Sequence, residues 1–178
     1  MGDFMRATCL HAAYSGLLIL ALAISVLQPA SAAIDTAPTE HQLTIHLASA
    51  TDGDSLRAGD LRLRLYGIDA PEAKQFCTNQ NGARYPCGKF ATDYLAQLIR
   101  HSDVLDCHIK DIDRYRRLIV RCLSKGRDIS QKMVQAGWAV AYRKYSKDYI
   151  AAETEARDTK QGVWQGRFDM PSDWRRKH

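Results

Sequence analysis

Alternating apolar and polar positions predict several short β-strands in the first part of the chain. Residues 43–47 place Leu, Ile and Leu on one face, and a second short strand centres on Leu56 after a turn at residues 51–55. Residues 61–66 then alternate three leucines with two arginines and a tyrosine. This third strand therefore has an apolar face for a core and a cationic face on its other side.

A helical period follows the strands. Apolar residues recur at i, i+4 spacing, which is typical of a helix that packs by one face; they are Phe90, Ala91, Tyr94, Leu95, Leu98 and Ile99. Two more apolar-polar alternations, at residues 104–109 and 118–123, predict a pair of strands that flank the turn residues 113–116.

The C-terminal part predicts two more helices. Asp128 is the expected N-cap of the first, which ends before Gly137, and the second follows Ser146 and ends at Gly162. The order of strands, helix, strands and two helices predicts a small α+β domain around a closed or nearly closed β-barrel.

The N-terminal residues have the pattern of a secretory signal peptide. The apolar run at residues 16–27 precedes small residues at 30–33, and we place cleavage after Ala32, so that 1–32 are removed and 33–40 form a loose tail. The run is shorter than the ~20 residues of a transmembrane helix, although a retained anchor is the alternative. We therefore expect an exported protein, periplasmic or secreted, with no membrane attachment after cleavage.

The net charge indicates an anionic partner but does not distinguish between the kinds of anion. The chain carries a formal charge of +5 at pH 7, and cleavage removes one acid and one base, Asp3 and Arg6, which leaves that value unchanged. A basic exported domain of this size is typical of a protein that meets an anion. Nucleic acid, anionic lipid and anionic polysaccharide all fit.

Four cysteines remain after cleavage and predict two disulfides in an oxidising compartment. Of the three possible pairings, spacing favours Cys77 with Cys87 and Cys107 with Cys122. A hairpin that turns at residues 113–116 sets Cys107 opposite Cys122, and both share their strand face with apolar residues, so this bond should be buried. Zinc binding is the competing interpretation, but the mature chain has no Cys-x-x-Cys motif.

Several charged side chains are candidates for chemistry. Asp54 and Asp69 lie at strand-to-loop boundaries and offer the hard oxygen ligands that calcium prefers, although Asp-Gly-Asp is more often a plain turn. Glu72 could act as a general base, whereas a lone loop Glu usually faces solvent. Arg64 and Arg117 share the outward face of separate strands and fit a phosphate clamp, although either one alone would indicate a solvated surface.

Together these residues form a pattern that resembles the thermonuclease family, the staphylococcal-nuclease-like domains. The resemblance runs from about residue 43 to residue 164, nearly the whole mature chain. The motifs that carry it are Asp-Gly-Asp-Ser at 52–55, Arg64 followed by Tyr-Gly-Ile-Asp-Ala-Pro-Glu at 66–72, Asp-Arg-Tyr-Arg-Arg at 113–117 and Gly-Val-Trp at 162–164. They occur in the family's order and spacing.

The resemblance implies a five-stranded OB-fold barrel with three helices over residues 41–170, followed by a tail at 171–178. It also implies a nuclease that cuts DNA and RNA with low sequence specificity and leaves 3′-phosphate ends. We expect a monomer with no stable protein partner. The implied site residues are Asp54, Asp69 and the carbonyl of Ala70 for Ca²⁺, Arg64, Glu72 and Arg117 for catalysis, and Tyr115 and Tyr142 for substrate binding.

Two positions depart from the family pattern. Arg116 stands where glycine is common, so the turn before Arg117 could differ in shape and shift the hairpin register by one residue. Ala70 stands where threonine is common, which a ligand carbonyl tolerates.

Functions from two other classes stay open. The main alternative is a non-catalytic OB-fold module that binds nucleic acid or polysaccharide, because a fold alone does not determine function. A secreted structural domain would explain the cysteines but not the clustered charges. The complete set of acids and arginines favours the enzyme.

Overall fold

The fold centres on a mainly antiparallel β-sheet with helices packed around it. The computed structural model describes residues 41–100 and 102–178, which belong to the compact unit Pro38–His178. The predicted signal peptide (1–32) and tail (33–40) lie outside the described residues. None of the helices in the described part has the length and apolar composition needed to cross a membrane.

Fifteen strands and α-helices and one 3-10 helix make up the described chain. In order they are β1 (Gln42–His46), β2 (Ser49–Asp52), β3 (Ser55–Ala58), β4 (Leu61–Leu65), β5 (Ile68–Asp69), β6 (Cys77–Thr78), β7 (Arg84–Tyr85), α1 (Cys87–Arg100), β8 (Val104–Ile112), β9 (Leu118–Ser124), β10 (Arg127–Asp128), α2 (Ile129–Gln135), β11 (Val140–Ala141), α3 (Ile150–Asp158), a 3-10 helix (Gly162–Gln165) and α4 (Pro171–Lys177).

The main sheet follows the order β1-β8-β9-β4-β3-β2, with β10 paired to β9. The pairing of β4 with β9 is parallel and the other ladders are antiparallel. The two end strands, β1 and β2, are separated by only Leu47 and Ala48, so the edges of the sheet belong to one bent segment. The α+β OB-fold class predicted from the sequence is confirmed. The main sheet of the described residues has seven strands where five were expected, because β2 and β10 extend it, and no ladder between β1 and β2 closes it into a barrel.

Leu47 corrects one detail of the first strand. The alternation placed it on the core face with its apolar neighbours, but its side chain is 91% exposed and its backbone has φ 54°. A left-handed residue cannot continue a strand. The chain therefore leaves β1 here and turns into β2.

The helices follow their predicted apolar faces and caps. In α1, Ala91, Leu95 and Ile99 are buried at i, i+4 spacing. Asp128 caps α2 as predicted, because its side chain accepts a hydrogen bond from the Gln131 amide. The structure differs at the C-terminal end, where the expected tail at residues 171–178 contains α4 and brings the described α-helices to four.

Both predicted disulfides are present. Cys107–Cys122 lies in the main core, which β3, β4, β8, β9 and the helices enclose, and Cys77–Cys87 lies in a smaller cluster with Val163. Cys107 faces Cys122 across the hairpin as expected, but the register shifts beyond Ile109, so that Ile112 faces Leu118. The sequence had flagged a one-residue change at this turn, and a bulge in β8 accounts for it.

Candidate active site

Three carboxylates and two arginines meet where β2, β4 and β5 end. Asp54 lies in the turn after β2, Arg64 in β4 and Asp69 at the end of β5. The Arg64 guanidinium bridges the acids, with 2.7 Å from Nη1 to Asp54 Oδ1 and 2.9 Å from Nη2 to Asp69 Oδ1. The structure thus brings together the predicted residues Asp54, Arg64 and Asp69.

Asp54 is buried at the base of this cluster, with only 3% of its surface exposed. Its Oδ1 accepts a hydrogen bond from Ser55 Oγ at 3.0 Å, and its Oδ2 accepts one from the Ala70 amide at 3.0 Å. Burial raises the pKa of Asp54 to about 7, although the charge of Arg64 opposes the rise. Ala70, the third predicted metal ligand, therefore has its backbone directly against Asp54.

Arg175 is a member of the cluster that the sequence analysis missed. Its Nη1 lies 2.9 Å from Asp69 Oδ1 and 2.7 Å from Glu72 Oε1, and its Nη2 lies 3.0 Å from Asp69 Oδ2. The residue had been assigned to a C-terminal tail, and the basic run at residues 175–177 was its only local signal. No periodicity or motif connects it to Asp69, 106 positions away.

Glu72 is held through its backbone, while its carboxylate stays 29% exposed. Its amide donates to Oε1 of the fully buried Gln75 at 3.2 Å, and the Gln75 amide donates back to the Glu72 carbonyl at 2.7 Å. A Cβ added to Gly88 would lie 1.7 Å from the Glu72 carbonyl oxygen, so the start of α1 packs directly on this loop. The loop is thus positioned by main-chain contacts, while the Glu72 carboxylate bonds to Arg175.

Arg117 lies beside the cluster and not within it. Its Nε donates to Asp113 Oδ2 at 2.7 Å, and it lines a shallow groove with residues of β2, β3 and β4, including Asp52 and Arg62. In the parallel ladder Arg64 is opposite Ile119, two positions after Arg117, so Arg64 and Arg117 share one face of the sheet. The groove that Arg117 lines therefore lies on the face of the sheet to which Arg64 belongs.

The two predicted substrate-binding tyrosines lie in different surroundings. Tyr115 is exposed in the turn before β9, where Arg114 stacks over its ring at 4.8 Å and Arg117 at 5.6 Å. Tyr142 follows β11, which pairs with β5, and its amide donates to the Gly67 carbonyl at 2.9 Å. Tyr142 is thus half-buried near the segment that carries Asp69, and Tyr115 is near Arg117.

The donor chemistry of the cluster fits a hard divalent cation. Asp54 and Asp69 supply buried carboxylate oxygens, the ligand type that calcium prefers, and the backbone of Ala70 adjoins them. Both oxygens of Asp69 are already hydrogen-bonded to Arg175. Within residues 41–100 and 102–178 no group of three or more His, Cys, Asp or Glu side chains is arranged to hold a metal ion. The oxygen ligands are of the type that a divalent cation binds, and in this structure the Arg175 guanidinium bonds to the Asp69 oxygens that such a cation would use.

Several known proteins are similar to this chain in sequence. An uncharacterised endonuclease of Escherichia coli O157:H7 is 32% identical over 127 residues, which are 67% of this chain and 76% of that protein. An uncharacterised endonuclease of Haemophilus influenzae is 30% identical over 142 residues, 75% of this chain and 74% of that protein. The succinoglycan biosynthesis protein ExoI of Rhizobium meliloti is 32% identical over 119 residues, 66% of this chain and 62% of that protein, so the match spans less than two thirds of its length.

The family model for staphylococcal nuclease homologues matches residues 62–166. This range covers more than half of the chain and includes Arg64, Asp69, Glu72 and Arg117. The chain therefore belongs to the staphylococcal nuclease homologue family.

Proposed function

We propose that this protein is an exported, calcium-dependent nuclease that hydrolyses the phosphodiester bonds of DNA and RNA with low sequence specificity. The observation that carries the proposal is the hydrogen-bonded cluster of Arg64, Asp54 and Asp69, to which Arg175 connects Glu72, with Arg117 in the adjoining groove. The two disulfides support export, because such bonds persist in oxidising compartments.

Glu72 is the general base in this proposal. Its carboxylate is partly exposed, and the backbone bonds to Gln75 hold it in place, so it can take a proton from an attacking water. The water oxygen bonds to phosphorus as the bond to the 5′-oxygen breaks. The 5′-oxygen takes up a proton from solvent, and Glu72 afterwards returns the proton it accepted to solvent. The products are a 3′-phosphate and a 5′-hydroxyl.

Arg64 and Arg117 stabilise the charge that grows on the phosphoryl oxygens. A guanidinium has five N–H donors, so the two bonds from Arg64 to carboxylates leave further donors for a phosphate. Held by Asp54, Asp69 and the carbonyl of Ala70, calcium would supply additional positive charge at those oxygens. Arg117 would add a second guanidinium from the adjoining groove, with its orientation set by Asp113.

The groove beside the cluster is the proposed substrate-binding surface. Arg57 and Arg62 line it together with Arg117, and Tyr115 offers an exposed ring at its edge. Cationic side chains read the backbone of a nucleic acid without regard to sequence, and an aromatic ring stacks on any base. Low sequence specificity and activity on both DNA and RNA follow from this composition.

A cleavage assay tests the proposal directly. Purified protein is incubated with single-stranded DNA, double-stranded DNA and RNA, in calcium or in a calcium chelator. We expect cleavage in calcium only, with product ends that a polymerase extends only after a 3′-phosphatase has acted. Protein that binds these substrates in calcium but leaves them intact would contradict the proposal.

The second candidate is a non-catalytic module that binds nucleic acid or polysaccharide. The observation in its favour is that the Rhizobium relative bears the name of a succinoglycan biosynthesis protein. A binding module would hold a polysaccharide or nucleic acid in the groove, and loss of Glu72 would leave that binding unchanged. The same cleavage assay, with binding measured in parallel, separates the two functions.

A further inference from the structure

Arg175 binds two of the carboxylates of the candidate active site, those of Asp69 and Glu72. Its guanidinium makes three hydrogen bonds of 2.7 to 3.0 Å, two to the buried Asp69 and one to Glu72. A bidentate guanidinium-carboxylate pair is among the stronger ion pairs in proteins because two parallel bonds fix its geometry. The contact therefore involves both a proposed metal ligand and the proposed general base.

The segment that leads to Arg175 is anchored to the rest of the molecule. Thr78 and Arg167 exchange backbone hydrogen bonds of 2.8 Å, and Gln75 Nε2 donates to the Asp169 carbonyl at 2.7 Å. The Cys77–Cys87 disulfide ties the chain on which Thr78 lies to the start of α1. Pro171, the first residue of α4, is buried. Arg175 thus reaches the cluster from a fixed base and not from a loose tail.

Arg175 and a divalent cation require the same oxygens. Asp69 is 2% exposed, and three of its roughly four lone-pair sites are filled, because Oδ1 and Oδ2 both accept from Arg175 and Oδ1 also accepts from Arg64. A cation that binds Asp69 therefore competes with the Arg175 guanidinium for these oxygens, and the two like charges repel each other. Two ligands that exclude each other lower each other's apparent affinity by the same factor.

We propose that Arg175 is an internal cation that holds Asp69 and Glu72 in the metal-free protein, and that a divalent cation must displace it to bind. This inference rests on the proposed function, because it concerns the same carboxylates. The displacement frees Asp69 for the cation and releases the Glu72 carboxylate for its role as a base. Through Arg175, the C-terminal helix α4 makes the release of Asp69 and Glu72 depend on the concentration of the cation.

The test compares the calcium affinity of the purified parental protein with that of Arg175→Gln, measured by titration calorimetry. Arg175→Gln should bind calcium more tightly, by roughly 10-fold, as the competing guanidinium is gone. The matched control is Arg176→Gln, which removes the same charge from the next position of α4. Arg176 pairs with Asp173 on the surface, so its loss should leave calcium affinity near the parental value.

A second measurement follows the C-terminal helix itself. Hydrogen exchange of the α4 backbone, residues 171–177, is followed in the parental protein with and without calcium. Displacement of Arg175 should increase exchange in α4 when calcium is added, and Arg175→Gln should show raised exchange without calcium and no further rise with it.

The outcomes separate this proposal from the proposed function. Equal calcium affinity in the parental protein and Arg175→Gln, or α4 exchange that calcium leaves unchanged, would overturn the role of Arg175 while calcium binding and cleavage stand. Absence of calcium binding in every variant would overturn both.

Discussion

At the scale of single residues, Glu72 and Arg64 are held in opposite ways. Arg64 is fixed by its side chain, whose nitrogens bond to two buried carboxylates, and only 16% of that side chain is exposed. Glu72 is fixed by its backbone through Gln75, and Arg175 is the described partner of its carboxylate. A side chain that bonds chiefly through one displaceable partner can change partner during a reaction.

Glu72→Gln tests the base. The substitution keeps the size of the side chain but removes the proton acceptor, so turnover should fall by roughly 10² to 10⁴. Substrate binding should be largely preserved, because the arginines of the groove are untouched. The measurement is cleavage rate and substrate affinity for the variant and for Glu155→Gln, a control on the exposed side of α3. Cleavage by Glu72→Gln at the parental rate would exclude Glu72 as the base.

Among the elements, the turn between β8 and β9 contains a non-glycine residue with a left-handed backbone. Arg116 has φ 61°, in the left-handed region that glycine adopts without steric cost. Asp113 organises the turn, because its side chain accepts from the amides of Tyr115 and Arg117 at 2.9 Å each and from the Arg117 side chain. The orientation of Arg117 therefore depends on the turn that precedes it.

Arg116→Gly should stabilise this turn. Glycine removes the steric cost of the left-handed backbone, so the free energy of unfolding should rise by roughly 0.5 to 1 kcal/mol. Arg114→Gly is the matched control, since it removes the same charge from the same turn at a residue without a positive φ, and it should be neutral or destabilising. Chemical denaturation of both variants measures the difference. Equal effects of the two substitutions would show that charge, not backbone strain, matters at Arg116.

Asp113→Asn should have an effect that depends on pH. Burial alone would raise the pKa of Asp113, but the hydrogen bonds from Arg117 and Tyr115 and the charge of Arg117 lower it overall. Because its folded pKa is depressed, the carboxylate stabilises the protein above its ordinary pKa of 3.8, and this contribution is lost as pH falls through the folded value.

The measurement for Asp113 is the free energy of unfolding at neutral and at acidic pH. At pH 7 the free energy of unfolding of the parental protein should exceed that of Asp113→Asn by roughly 1 to 2 kcal/mol. This difference should become smaller once the medium is more acidic than the ordinary pKa of 3.8. Asp60→Asn, at an exposed turn between β3 and β4, should show little gap at either pH. If the difference in unfolding free energy between the parental protein and Asp113→Asn stayed constant with pH, the lowered pKa of Asp113 would be contradicted.

At the scale of the whole molecule, the charge of +5 and the arginines of the groove act together. Each phosphate that a cationic side chain contacts releases a bound counterion, so the logarithm of the affinity should fall linearly with the logarithm of salt concentration. Arg57→Gln should reduce the slope by roughly 0.7 to 0.9, the value of one phosphate contact. Lys125→Gln, beyond the far end of β9 from Arg117, should leave it unchanged. A slope of zero in the parental protein would argue against a phosphate-binding groove.

The sequence by itself determined the features that depend on neighbouring residues. The i, i+4 apolar spacing in α1, the N-cap at Asp128 and the pairing of Cys107 with Cys122 are all decided within a short stretch, by periodicity, local hydrogen bonding and hairpin register. The motifs around Asp54, Asp69 and Glu72 likewise predicted which residues would meet, because their order and spacing resemble one family. The roles of these residues in catalysis and metal binding remain predictions.

Only the tertiary structure decided what depends on distant parts of the chain. The exit of Leu47 from the core face follows from where β2 must run, and the register shift after Ile109 follows from the turn that joins β8 to β9. The basic run at residues 175–177 was the only local signal for Arg175, because its partners lie over 100 positions earlier and its position depends on the anchored segment before α4. Ion pairs of this kind carry no periodicity, so they become visible only when packing brings the two segments together.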